Sequence, residues 1–67
     1  MKLTRLKELR DEAGYTQSQI AEKLQIKQNT YSQYENGVRE LPYEYLIALS
    51  KIYSVSTDYI LGLRDDM

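Results

Sequence analysis

The 67-residue chain contains no cysteine, no histidine, no phenylalanine and no tryptophan. Without the first two it can build neither a disulfide framework nor a thiolate zinc site, and it has no ordinary histidine general base. No apolar run approaches the roughly 20 residues that a membrane span requires. Met1-Lys2-Leu3-Thr4-Arg5 opens into a charged stretch rather than the apolar region of a signal peptide. The expected setting is cytoplasmic, with no membrane partner and the chain mature as written. One proline and three glycines leave no room for a linker or a low-complexity segment, and no internal repeat is present. A domain of this size buries roughly 60% of the surface its unfolded chain exposes, which favours short helices around one core over a deep catalytic cleft.

Neither sign of charge prevails. Nine Lys and Arg stand against ten Asp and Glu, a net charge of -1, which taken alone argues against nucleic acid, whose binders are usually basic. The charge is unevenly placed, however. Residues 1 to 39 carry seven basic and five acidic side chains, net +2, whereas residues 40 to 67 carry two and five, net -3.

What is present is helical periodicity. Leu3, Leu6, Leu9 and Ala13 recur at helix spacing with charged residues between them, and Gly14 has the position of a C-terminal cap. Thr16-Gln17-Ser18-Gln19 has the form of a capping box, with Tyr15 and Ile20 placed as a hydrophobic staple, so a second helix starts at about Gln17 and buries Ile20, Ala21 and Leu24. Gln25-Ile26-Lys27 interrupts it. A third helix restarts at Gln28 and stops at the turn signal Asn36-Gly37. Pro42, taken as part of a first helical turn, opens a fourth helix lined by Leu46, Leu49 and Tyr53. Ser56 caps a fifth, with Val55 and Ile60 at staple spacing, Asp58 in the first turn and Gly62 at the end. The expectation is one all-α domain over 1–67: a compact five-helix bundle with its core in 3–62, a helix-turn-helix at 17–36 and a frayed tail at 63–67.

The third helix has an unusual outer face. Tyr31 and Tyr34 lie three apart on the inward side, leaving Gln28, Asn29, Ser32 and Gln33 as a surface of amides and hydroxyl without formal charge. Gln and Asn each offer a donor and an acceptor side by side, matching N6 and N7 of adenine in the major groove, which lysine cannot do. Cations are needed only at the margins, where Lys27, Arg39 and Arg10, with Asn36 and helix N-terminal amides, have the chemistry to meet phosphates. A solvated polar face is the plain alternative for the amides. Tyr31 and Tyr34 are read as core, not as base-stacking rings.

Gln17-Ser18-Gln19-Ile20-Ala21-Glu22-Lys23-Leu24 resembles the helix-turn-helix of phage repressors and Cro proteins, the xenobiotic-response-element family of bacterial regulators. Leu6-Lys7-Glu8-Leu9-Arg10 and Gly14-Tyr15-Thr16-Gln17 before it, Tyr34-Glu35-Asn36-Gly37 after it, and Val55 to Gly62 at the end extend the resemblance over about residues 3 to 62. It implies a Cro-like double-stranded DNA-binding regulator of transcription, a repressor, with Gln17 at a phosphate, Gln28, Asn29 and Gln33 at bases, and Asn36 and Arg39 on the flanking backbone. It also implies a homodimer paired through C-terminal helices, where Tyr53, Tyr59 and Leu63 are the candidates. Three departures from the family pattern stand out. Gln25 occupies the turn position usually held by glycine, Lys27 replaces a Ser or Thr cap, and Pro42 falls one residue late.

Two other readings stay open: a helical protein-interaction module such as an antitoxin or repressor antagonist, and the DNA-binding half of a longer regulator. No metal site is expected, since Glu40, Glu44, Asp58 and the pair Asp65-Asp66 lack calcium-loop spacing. No cofactor and no enzymatic activity are expected either, since no His is available and no Lys is evidently desolvated.

Overall fold

The computed structural model describes residues 3–66. Among the described residues there are five helices and no strand: α1 (Thr4–Ala13), α2 (Gln17–Leu24), α3 (Gln28–Glu35), α4 (Tyr43–Tyr53) and α5 (Thr57–Ile60). None is long and apolar enough to cross a membrane.

Local chemistry sets most of the helix ends. α1 stops where Gly14 takes φ 77° and its N–H bonds to the carbonyls of Arg10 and Asp11, a left-handed geometry that glycine adopts without a Cβ penalty. α2 begins with a reciprocal cap. Thr16 Oγ1 accepts from the Gln19 N–H at 3.1 Å, and Gln19 Oε1 accepts from the Thr16 N–H at 2.8 Å. At α5, Ser56 Oγ accepts from the Tyr59 N–H at 3.0 Å and Asp58 lies in the first turn, where unpaired amides favour a carboxylate. Pro42 stands just outside α4 rather than in its first turn. Its ring holds φ at -60°, and its carbonyl accepts from the Leu46 N–H at 3.1 Å.

Leu6 and Leu9 of α1 meet Ile20 and Leu24 of α2, Tyr31 of α3 and Leu49 of α4 in a single core, which Val55 and Ile60 close on the far side. α3 packs against α2, and Ala21 of α2 is 2% exposed, so a larger side chain there would have to displace its neighbours in the core. Each fully buried Leu or Ile contributes about 1.5–3 kcal/mol. The stripe of α1 differs from the sequence expectation: Ala13 is exposed, and Arg10 takes the inward place one turn after Leu6.

Two non-glycine residues sit in the left-handed region, Gln25 at φ 60° and Ser54 at φ 55°, each closing a helix with its N–H turned back onto the last carbonyls. That conformation costs an L-residue roughly 1–2 kcal/mol. Gln25→Gly is therefore expected to stabilise the domain by about 0.5–1 kcal/mol, a few degrees in thermal melting. Circular dichroism melts check this, and an unchanged or lowered midpoint would show that the turn accepts glutamine without strain.

Candidate nucleic-acid interface

α3 presents the expected outer face. Gln28 and Asn29 are exposed in its first turn, Ser32 and Gln33 are half-buried one turn on, and all four line one shallow cleft together with Gln17 from the start of α2. Sequence reasoning placed Gln17 at a phosphate by resemblance; the fold brings it into the same cleft as the amides. The first N–H groups of α3 have no side-chain cap, because the Lys27 side chain before them carries no acceptor. They and the exposed Lys27 side chain form the positive end of this face.

Beneath the cleft lies an ion pair that sequence reasoning did not assign. Glu35 is 3% exposed and accepts from Arg10 Nε at 3.1 Å and Nη2 at 3.0 Å, a two-pronged contact between α1 and the end of α3. Arg10 Nη1 also donates to the Tyr15 carbonyl at 3.1 Å, and Gln17 Nε2 donates to Glu35 Oε1 at 3.4 Å. Burial pushes the Glu35 carboxyl up, but hydrogen bonds led by Arg10, with Gln17 among them, outweigh it and hold the group below the usual carboxylate range. Glu35 hydrogen bonding raises Arg10 against the opposing effect of its own desolvation. Arg10, expected at a phosphate, is thus turned inward with its donors engaged inside the protein, and its side chain is only 11% exposed. The signal was available: Arg10 follows Leu6 by four residues and Glu35 follows Tyr31 by four, so each extends a buried stripe.

Beyond the cleft, Arg39 is exposed in the loop after α3, and among the described residues neither it nor Lys27 enters an ion pair. Asn36 directs its side chain back along α3, Nδ2 donating to Ser32 Oγ at 3.2 Å.

The three residues expected at a subunit contact lie in different surroundings. Tyr53 is half-buried beside Leu9, Ala13 and Tyr15, and burial pushes its phenol up to about 12. Its hydroxyl is buried with no hydrogen-bond partner among the described residues. Tyr59 lies under Arg5, whose guanidinium is 4.3 Å from the ring centroid and donates to the Tyr59 carbonyl at 2.8 Å. Leu63 is 72% exposed. Arg5 also bonds the Arg64 carbonyl and pairs with Asp65 at 3.1 Å, so the segment expected to fray is folded back onto α1.

A helix-turn-helix family model matches residues 6–60. The HTH-type transcriptional regulator ImmR of Bacillus subtilis (strain 168) is 53% identical over 58 residues, covering 87% of this chain and 46% of the relative. The uncharacterized HTH-type transcriptional regulator YobD of the same strain is 44% identical over 62 residues, covering 92% and 55%. The SPbeta prophage-derived regulator YonR is 42% identical over 57 residues, covering 85% and 53%. The chain spans about half the length of these curated relatives.

Two predictions follow from the ion pair. Glu35→Ala leaves a buried guanidinium without its partner and should cost about 3–5 kcal/mol, close to the whole stability of a domain this small, whereas the double change Arg10→Met with Glu35→Leu should keep a cooperative urea transition. An Ala variant as stable as the parent would show the pair to be dispensable. With its folded-state value lowered, Glu35 contributes stability above the ordinary carboxyl value of 4.5, and that contribution disappears as pH falls through the lowered value. Urea midpoints should therefore drop in the acid range for the parent and drop less for the double variant.

Proposed function

The chain belongs to the helix-turn-helix family of transcriptional regulators, of the xenobiotic-response-element type, and from that premise we propose that it binds double-stranded DNA sequence-specifically and represses transcription by occupying its operator. One observation carries the reading: Gln28, Asn29, Ser32 and Gln33 of α3 gather uncharged hydrogen-bonding groups in one cleft, with the exposed Lys27 just before the helix and Arg39 after it, its N–H on the Gln33 carbonyl at 3.2 Å.

In this mechanism the N-terminal half of α3 enters the major groove, where Gln28 and Asn29 meet base edges first and Gln33 and Ser32 follow one turn later. Lys27, the open amides of α3 and Arg39 hold the phosphates on either side, and Gln17 adds a contact at the start of α2. Arg10 serves this interface from within, by fixing α3 to α1. Repression requires only that a promoter be covered. A homodimer would place two recognition helices on half-sites about 34 Å apart.

Selection from a random DNA pool should enrich a defined site. On that site Gln28→Ala is expected to cost about 1–3 kcal/mol and relax preference at one base pair, while Arg39→Ala should weaken binding to all sequences and lower the salt slope by about one. Mobility shifts across a salt series measure both. If nothing is enriched and no salt-dependent shift appears, the domain is a protein-interaction module and the DNA mechanism is wrong.

A further inference from the structure

Asn36-Gly37 ends α3, and the same dipeptide is the most reactive setting an asparagine side chain has in a protein. The backbone nitrogen that follows an asparagine can attack its side-chain Cγ. The new N–Cγ bond forms as the Cγ–Nδ2 bond breaks, the backbone N–H proton leaves with Nδ2 as ammonia, and a succinimide ring results. Water then opens either ring carbonyl to give aspartate or isoaspartate, so no other reactant is needed. Glycine favours the attack because it has no Cβ to shield the nitrogen or restrict its approach. The other asparagine of the chain, Asn29, lies inside α3 and is followed by the β-branched Thr30.

In the folded domain the reacting groups are held apart. Asn36 is exposed, and its φ of -85° and ψ of -4° place the Gly37 nitrogen against the Asn36 nitrogen rather than against Cβ, the neighbouring tetrahedral substituent. The Gly37 N–H donates to the Tyr34 carbonyl at 3.3 Å, and Asn36 Nδ2 donates to Ser32 Oγ at 3.2 Å. Attacking nitrogen and leaving amide are thus both tied back along α3. These ties are modest, the first long and the second exposed. A helix end opens more often than its middle, and an opening of this turn frees both groups together.

We propose that Asn36 is a deamidation site, gated by its bond to Ser32 and by the closed last turn of α3, and that its conversion weakens DNA binding. The second half rests on the DNA-reading function proposed above. A carboxylate at this position stands at the negative end of α3, in a groove lined also by Glu8, Asp11 and Glu35, where it adds like charge. It also stands beside Ser32 of the reading cleft, where it repels phosphate. Isoaspartate adds a backbone methylene to the turn in which the Val38 and Arg39 N–H groups reach the Gln33 carbonyl at 2.9 and 3.2 Å, and so displaces Arg39. The domain carries a slow, one-way loss of function that runs on water alone.

The test incubates the purified chain at neutral pH and physiological temperature, beside a sample in denaturing guanidinium, and maps both by peptide mass spectrometry over time. Aspartate and isoaspartate should accumulate at position 36 and not at position 29, at least about tenfold more slowly in the folded sample than in the denatured one. Ser32→Ala should speed the folded reaction several-fold, whereas Ser32→Thr, which keeps a hydroxyl, should not. Helix propensity alone predicts the reverse order, since alanine closes the last turn better than threonine. The site or its gate is overturned if the folded chain stays unconverted while the denatured one converts, if both convert at one rate, or if Ser32→Ala is no faster than Ser32→Thr. On the enriched DNA site, Asn36→Asp should bind about tenfold more weakly than the parent at low salt, and less so as salt screens the charge, while Asn36→Gln stays close to the parent. Equal affinity for Asn36→Asp and the parent overturns the functional half. No enriched site at all would overturn the DNA reading and that half with it, whereas the mass-spectrometric result decides the modification site independently.

Discussion

The pairing of Arg10 with Glu35 is the constraint on which the rest of this small structure depends. Apolar burial is non-directional and would tolerate several rotations of α3 against α1. Two charges taken out of water are not so permissive: turning α3 by one residue, about 100°, would carry Glu35 away from the guanidinium and leave both buried charges unpaired. Because Arg10 also bonds the Tyr15 carbonyl and Glu35 accepts from Gln17, the same pair joins the end of α1, the start of α2 and the end of α3. The roll of α3, and with it the face that projects outward, is set at that junction.

This accounts for the charge distribution. Arg10 and Glu35 neutralise each other inside the protein, and Lys23 lies 5.1 Å from the centroid of the Tyr15 ring, away from the α3 cleft. What remains beside the cleft is Lys27 and Arg39, a small positive margin around an uncharged centre. On the proposed function, a domain so arranged gains little long-range attraction from its net charge of -1, and its selectivity would fall to hydrogen bonds at short range. The direction in which each amide and hydroxyl points then matters more than the count of cations.

The helix pattern was legible residue by residue. Gly14, the Thr16 and Gln19 box and the Ser56 cap act across three or four positions, and the structure repeats each as read. The outer face of α3 was equally legible, because Tyr31 and Tyr34 identify the buried side and leave the amides opposite. Arg10 was misplaced because a cation near a basic N-terminal half looks like a surface group until its partner is known, and that partner is 25 residues away. The tail was misread for a similar reason, since Arg5 reaches a carbonyl 59 positions along the chain.

The sequence by itself therefore determined the number of helices, the caps at Gly14, Thr16 and Ser56, and the chemical character of the face on α3, since all of these follow from neighbours within one or two turns. Only the tertiary structure decided which charges are buried, where Gln17 sits, and that Asn36 turns back onto Ser32 instead of outward. Side-chain pairing depends on what the folded chain brings together from distant positions: local spacing extends the buried stripes to Arg10 and Glu35 but holds no record that the two meet.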